Sequence, residues 1–173
     1  PDSVLRGLVG GYGRITGAPA YAVMIGNAAD PGAAVRVGYT GEGLILEATA
    51  LGLATCWVSG MFKNDEVRKS ATLSVEERVY AITPLGVGER DFSLKEKLYI
   101  RGAGSRKRKS KEELVEGCSP LPWQDAAVEA ARIAPSARNR QPWRFILSPD
   151  SITIRRDSGP DGDRYPKSLD CGI

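Results

Sequence analysis

The chain has 173 residues, of which 42% are apolar and 26% are charged, and its formal net charge is +3. This length allows one domain with a sizeable core, and the composition is that of a globular protein rather than a disordered one. The net charge is too small to indicate a nucleic-acid partner, and we expect none.

The sequence contains no histidine, which excludes Ser-His-Asp and Cys-His nucleophile chemistry and every His-ligated metal site. The cysteines Cys56, Cys118 and Cys171 are widely spaced and form no CxxC pair, so we expect reduced thiols in a cytoplasmic protein, and no metal. No apolar run reaches membrane-spanning length and the N-terminal residues show no charged-then-apolar pattern of a signal peptide, so we expect no membrane partner.

The first half of the chain alternates between loop, strand and helix patterns. The glycine-rich stretch GLVGGYGRITG (7–17) predicts a loop; we favour a connector over a phosphate loop because no GxGxxG is present. AYAVMIGN (20–27) and VYAITPLG (79–86) predict buried strands, the second ended by Pro84 and Gly86.

A central helix is predicted within residues 39–60, where almost no polar face is present. Thr40 and Gly41 are its candidate cap residues, and it should end near Gly52. A shorter helix is predicted at 64–70, and its candidate caps are Asn64 and Asp65.

The second half begins after a polar, basic stretch at 88–120, which predicts a long connection with little core content. Residues 122–134 predict a helix with a stripe of small apolar side chains. Residues 143–156 predict a hairpin with Pro149-Asp150 in its turn, and 158–168 predict a loop. The order of elements indicates an α+β fold.

The stretch APSARNRQPWRFIL (134–147) combines a helix end, a polar loop and a strand start. Pro135 ends the helix, because the residue before a proline disfavours the α conformation, and Pro142 fixes the chain where the strand begins. Between them lie the hydroxyl and amide groups of Ser136, Asn139 and Gln141. Two interpretations stay open: the loop holds a flat heterocycle with an anionic group near Arg138, or its amides only tie down a turn.

This stretch resembles the PSxxNxQPW segment of the nitroreductase family, flavoenzymes that bind FMN at a dimer interface. The matching residues are Pro135, Ser136, Asn139, Gln141, Pro142 and Trp143. Residues 43–62 (GLILEATALGLATCWVSGMF) resemble the family's central helix and the turn that approaches the isoalloxazine ring. Residues 83–88 (TPLGVG) resemble a family strand and its exit, and 106–115 (RKRKSKEELV) resemble the basic segment that reaches the FMN phosphate.

The resemblance implies an α+β fold in which a mixed or antiparallel sheet is flanked by helices. It implies an FMN-dependent oxidoreductase, a flavoprotein in which NADH or NADPH reduces the flavin and the flavin reduces a nitroaromatic or quinone-like acceptor. Because the flavin carries the chemistry, no side chain is predicted to be catalytic. The predicted cofactor-binding residues are Pro135, Ser136, Arg138, Asn139, Gln141, Ser59, Gly60, Arg106 and Arg108.

The order of the segments differs from that of an ordinary member, where PSxxNxQPW precedes the central helix. We interpret the chain as two pseudo-repeated halves: a first half at 1–100, a basic linker at 101–120, and the start of a second half at 121–173. The resemblance then implies an intramolecular pseudo-dimer or a homodimer, with the loop of the second half completing a site on the first. We expect the family's Arg-Arg-Ser segment to lie upstream of Pro1 and the second half to be truncated.

The basic run at 106–111 and Cys56 each have a simpler interpretation. The run is a solvated linker, an FMN phosphate clamp centred on Arg108 and Arg106, or, least favoured, a nucleic-acid patch. Cys56 is interpreted as a small core residue rather than a redox centre.

Two rival functions remain. One is a flavin-binding, degenerate member without turnover, and the other is a non-flavin binding module that uses the basic linker.

Overall fold

The computed structural model describes residues 4, 9–10, 13–59, 62–88, 107–160 and 166–173. The described strands are β1 Val9–Gly10, β2 Gly13–Arg14, β3 Ala20–Asn27, β4 Ala54–Thr55, β5 Glu77–Gly86, β6 Val115–Gly117, β7 Trp143–Ser148 and β8 Ser151–Arg156. The described α-helices of four or more residues are α1 Ala33–Ala50, α2 Asn64–Ala71, α3 Lys111–Leu114, α4 Pro122–Arg132 and α5 Lys167–Gly172. This is the predicted α+β class, with mixed and antiparallel sheets flanked by helices.

The first sheet is antiparallel and has the order β3-β5-β4. The predicted strand at 20–27 is confirmed, whereas Pro84 does not end β5, because it pairs with Tyr21 inside the strand. On its other side β5 meets Val58 at Ile82 and β4 at Leu85, so Pro84 lies between two separate pairings and interrupts no continuous ladder. The predicted loop at 7–17 contains the short β1–β2 ribbon.

Helix α1 begins at Ala33, well before its predicted caps. Thr40 lies inside the helix, where its hydroxyl donates to the Arg36 carbonyl at 2.7 Å and so cannot cap an end. The helix ends as predicted, since Gly52 follows it with a φ of +78°.

The apolar character of α1 does not make it buried on all sides. Its core face is built from small or branched residues: Ala33, Ala34, Val37, Gly38, Gly41, Ile45 and Ala48. On the opposite face Tyr39 is 78% exposed and Leu46 is 61% exposed. A helix with almost no polar face is expected to be a core helix, and this expectation is wrong for the outward side of α1, because the first sheet covers one side of the helix only.

Helix α2 begins at Asn64, with Lys63 as its N-cap, and no side chain caps it. The predicted caps are therefore wrong: Asn64 is already helical, and Asp65 lies in the first turn, where an acidic side chain favours the positive end of the helix dipole.

The second sheet has the order β6-β7-β8, with β6 parallel and β8 antiparallel to β7. The predicted hairpin and its Pro149-Asp150 turn are confirmed. Helix α4 begins with Pro122 in its first turn and packs Val128 into the core, while Ile133 is 57% exposed.

The expectation of little core content at 88–120 is wrong for residues 111–117. A capping box lies at the N-terminus of helix α3, where the Ser110 amide donates a hydrogen bond to the Glu113 carboxylate at 2.8 Å. Leu114 is fully buried, and Val115 pairs with Phe145. A charged segment can contribute to a core when its few apolar residues all point to one side. Residues 89–106 lie outside the described structure.

Helix α5 lies partly in the predicted 158–168 loop and packs across α1. The contact is close because glycines face backbone: a Cβ on Gly38 would overlap the Leu169 carbonyl oxygen, and a Cβ on Gly172 would overlap the Val35 carbonyl oxygen. Leu169 is 2% exposed and belongs to the core cluster of the first sheet. Helix α5 therefore joins the second part of the chain to the first.

None of the described helices combines the length and apolar character needed to cross a membrane.

The α1–α5 crossing predicts different outcomes for two glycines of one helix. Gly38→Ala should lower the free energy of unfolding by about 2 kcal/mol, the usual size of an overpacking penalty, because the new methyl group meets the Leu169 carbonyl. Gly43→Ala is the matched control: nothing lies within 4 Å of its Cβ position, so helix propensity should raise the free energy of unfolding by about 0.5–1 kcal/mol. Urea unfolding of the two variants measures the difference, and equal effects would contradict this crossing.

Candidate functional site

The loop between α4 and β7 has an unusual backbone. It includes a short 3-10 turn at Ala137–Asn139, and three of its residues other than glycine have positive φ: Arg138 at 56°, Asn139 at 53° and Gln141 at 49°. Asparagine tolerates this region, but for the other two the left-handed conformation costs about 1–2 kcal/mol each. Such a loop persists only where surrounding contacts over-determine it, and strained loops of this kind cluster at functional sites.

Gln141 ties the loop to residues 107–109. It is 4% exposed, its Oε1 accepts from the Lys109 amide at 2.8 Å, and its Nε2 lies 3.3 Å from the Lys107 carbonyl oxygen and 3.2 Å from the Asn139 carbonyl oxygen. Lys109 Nζ adds bonds to the Arg140 and Gln141 carbonyls at 3.0 and 3.2 Å. Both amide atoms of Gln141 are therefore used to hold the loop.

Arg108 and Asn139 form the second link between the same two segments. Arg108 Nη1 donates to Asn139 Oδ1 at 3.2 Å, and Asn139 Nδ2 donates to the Lys107 carbonyl at 2.9 Å. Arg108 Nε and Nη2 both reach the carbonyl of Ile133, at 3.2 and 2.9 Å, where helix α4 ends. The guanidinium therefore satisfies a helix terminus and an asparagine at once.

Ser136 and the prolines shape the rest of the loop. Ser136 is extended, with a φ of −149°, and its hydroxyl oxygen accepts from the Gln141 amide at 3.0 Å. Pro135 precedes it, and Pro142 is fully buried at the start of β7. The two prolines bracket the turn as expected.

Asp170 on α5 holds the loop from the opposite side. Its Oδ1 accepts from the Ala137 amide at 3.1 Å, and its Oδ2 accepts from Arg140 Nε at 2.8 Å. Sequence reasoning missed this residue, because nothing in residues 166–173 indicates that a helix there folds back onto a loop thirty residues earlier.

The local charge around the loop is positive. The two linked segments carry five cationic side chains: Lys107, Arg108, Lys109, Arg138 and Arg140. Burial lowers the pKa of Lys109, and the neighbouring Arg144 lowers it further. A concentration of cations and amide groups of this kind suits an anionic ligand with a polar edge.

The other predicted cofactor-binding residues lie next to the first sheet or outside the described structure. Ser59 follows Val58, which pairs with Ile82. Gly60 and Arg106 lie outside the described residues. Of the predicted set, the structure thus brings together Pro135, Ser136, Arg138, Asn139, Gln141 and Arg108.

The segment before Ser59 is held by two polar contacts. The Cys56 amide donates to the buried Thr83 hydroxyl at 3.1 Å, and Trp57 Nε1 donates to Glu42 Oε2 at 2.7 Å. Burial raises the pKa of Glu42, while the Trp57 hydrogen bond opposes that rise. This pair links α1 to the segment that leads to Ser59.

A groove of about 410 Å³ runs beside β3 and α1. Its walls combine the strand Val23–Asn27 with the helix side chains of Arg36, Val37, Thr40 and Leu44. Sequence reasoning did not predict it, and it lies apart from the loop residues named above.

The comparisons with known proteins agree with the resemblance. The family model described as "Putative TM nitroreductase" matches residues 3–171, so the chain belongs to this nitroreductase family. No curated protein matches the sequence.

The fold is similar to a crystal structure of a protein from Thermotoga maritima MSB8 described as a "putative nitroreductase". The TM-score is 0.57 and the sequence identity is 24% over 89% of this chain. The match covers 57% of the Thermotoga chain, so the present chain spans little more than half the length of that relative.

The three cysteines should differ in reactivity. Burial raises the pKa of Cys56 and raises that of Cys171 to about 11, whereas Cys118 is exposed. The thiolate is the reactive form, so near pH 8 we expect Cys118 to react quickly with a thiol reagent and the other two to react at least about tenfold more slowly.

A Cys118→Ser variant should lose the fast phase and retain the slow ones until the protein is unfolded. A fast phase that persists in this variant would show that Cys56 or Cys171 is an activated thiol.

Proposed function

We propose that this chain forms part of an FMN-dependent oxidoreductase that uses NAD(P)H to reduce a small nitroaromatic or quinone-like acceptor. One observation carries the proposal: two segments that resemble FMN-binding segments of the family meet in one hydrogen-bonded cluster. Arg108 and Asn139 are 31 residues apart in sequence, and Arg108 Nη1 lies 3.2 Å from Asn139 Oδ1. When bound, FMN would supply the hydride chemistry, which the side chains of this chain do not provide.

The groups at the loop fit the polar parts of FMN. Arg108 and Arg138 provide positive charge for a phosphate dianion, and Asn139 provides an amide for the edge of a flat heterocycle. The Ser136 oxygen accepts a bond from Gln141, and its hydroxyl hydrogen has no acceptor among the described residues. A donor is thus available beside a positively charged surface.

The proposed roles follow from these contacts. Ser136 and Asn139 would contact the ring, and Arg108, with Arg106, would hold the phosphate. Gln141 would act by keeping the loop in its left-handed conformation, since it is buried and both its amide atoms are bonded within the protein. Asn139 is also bonded, to Arg108 and Lys107, but it is only half-buried. Pro135 and Arg138 complete the loop.

Ser59 and Gly60 would approach the pyrimidine edge from the first half, where donors stabilise the negative charge of a reduced ring. Ser59 lies two residues after Trp57, whose indole N–H binds Glu42 on α1.

The two-half organisation is part of the same proposal, with 1–100 and 121–173 as the halves and the chain acting as a pseudo-dimer or homodimer. The α1–α5 crossing supports it. Gly38 contacts Leu169, and Gly172 contacts Val35. Residues 169 and 172 lie 134 positions after residues 35 and 38, so a shift of 134 positions relates the residues of one contact to those of the other. The two helices also begin at residues 33 and 167, which differ by the same 134. A reciprocal contact of this kind is what a two-fold axis between repeated units produces.

An alternative assigns Arg108 to the loop alone. Its Nε and Nη2 bind the Ile133 carbonyl, and its Nη1 binds Asn139 and Lys107. If the guanidinium is only a structural clamp, the chain is a flavin binder that recognises the ring without the phosphate, or a degenerate member without turnover.

A titration with two flavins separates these functions. The unmodified chain should bind FMN more tightly than riboflavin, which lacks the phosphate, and the bound flavin should bleach when NADPH is added without oxygen. Arg108→Gln should reduce the preference for FMN by about tenfold, as expected for the loss of one charge-assisted contact. Riboflavin affinity in the same variant reports any general damage to the loop.

Arg155→Gln is the matched control, because it removes an equally charged side chain from β8, where Arg155 pairs with Glu116 at 3.2 Å. An unchanged FMN preference in Arg108→Gln would assign this arginine to the loop. No flavin binding by any form of the chain would overturn the proposed function.

A further inference from the structure

Asp170 is a buried charge that no motif accounts for. Its side chain is 3% exposed, and its two oxygens face the loop between α4 and β7. One oxygen accepts from the Ala137 amide at 3.1 Å and the other from Arg140 Nε at 2.8 Å. A buried carboxylate is retained only when it is paired and hydrogen-bonded, and here both conditions are met by a single loop.

The two bonds are placed at the two ends of the strained turn. Ala137 comes directly before Arg138, and Arg140 comes directly after Asn139, so the bonds bracket two of the three left-handed residues, while Gln141 follows Arg140 directly. Fixing these two ends restrains the φ values between them. Of the contacts described for the loop, those of Asp170 come from the side of α5, whereas the others come from residues 107–109 and from the loop itself.

Asp170 is held in place by the close packing of α5 against α1 at Gly38 and Gly172. Its neighbour Leu169 is in the core of the first sheet, and Gly172 lies against the backbone of α1. The backbone of Asp170 therefore cannot shift without moving a helix that is packed against the first half. The loop geometry is coupled in this way to the seating of α5 on α1.

The position related to Asp170 by the 134-residue shift is Arg36. Its side chain is 65% exposed and it pairs with Asp30, on the same half. A guanidinium has no acceptor atoms and cannot receive the bonds that Asp170 receives from Ala137 and Arg140. The carboxylate is thus specific to the loop at 134–142, and the two halves differ at this point.

We propose that Asp170 is a positioning residue that holds the 134–142 loop in its ligand-binding conformation and ties that conformation to the seating of α5 on α1. The predicted effect of Asp170 on flavin affinity rests on the proposed function, whereas its predicted effect on the loop does not. It adds a residue that touches neither the ring nor the phosphate and that acts through Ala137 and Arg140.

The test uses two readouts, of which one needs no flavin. In Asp170→Asn the ion pair is lost, so trypsin should cleave after Arg138 or Arg140 about tenfold faster, since cleavage requires the loop to open locally. FMN and riboflavin should both bind about tenfold more weakly, with their ratio unchanged, because the loop rather than the phosphate contact is affected. Asp170→Glu, which keeps the carboxylate, should restore part of both effects.

Asp150→Asn is the matched control, because it removes the same carboxylate from the exposed β7–β8 turn and should change neither readout. Amide hydrogen exchange at Ala137 of the unmodified chain provides a measurement that does not depend on any variant folding. The Ala137 amide donates to Asp170, so we expect it to exchange at least about tenfold more slowly than an open amide.

The outcomes are distinguishable. An unprotected Ala137 amide, or cleavage of Asp170→Asn at the rate of the Asp150→Asn control, would overturn the positioning role. Faster cleavage with unchanged flavin affinity would uphold the positioning role and overturn the part of the loop in flavin binding. Faster cleavage with weaker binding of both flavins, restored by Asp170→Glu, is the expected result.

Discussion

The close approach of α1 and α5 is the contact on which the rest of the described structure depends. Gly38 and Gly172 each leave room for a carbonyl oxygen of the other helix, and no larger residue fits at either position without moving the backbone. Through this contact Leu169 enters the core of the first sheet, while Asp170 faces the loop at 134–142. One short helix therefore carries both the packing between the two parts of the chain and the restraint on the candidate site.

The loop itself shows how a strained conformation is kept in place. Its left-handed residues are unfavourable alone, and they persist because hydrogen bonds converge on them from two sides, residues 107–109 and Asp170. A loop held in this way loses little conformational freedom when a ligand binds, which favours affinity. The same bonds explain why Gln141 is buried although it is polar: its amide supports the turn.

Local sequence patterns predicted most of the first sheet and the β7–β8 hairpin, because alternating apolar residues and turn prolines act over a few positions. They failed where the deciding contact is distant. Thr40 has the character of a cap but lies inside α1, and residues 111–117 have the composition of a linker but place Leu114 and Val115 beside β7. The apolar surface of α1 was correctly recognised, but which side faces the sheet is a property of the packed structure.

The sequence alone determined the α+β class, the positions of the main strands, and the identity of the loop whose PSxxNxQPW pattern marks the family. These features depend on the conformational preferences of neighbouring residues, which act before any tertiary contact forms. Only the tertiary structure decided that Arg108 meets Asn139, that Asp170 holds Ala137 and Arg140, and that two glycines 134 residues apart lie against each other's helices. Such contacts join residues far apart in the chain, and their partners are selected by how helices and sheets pack.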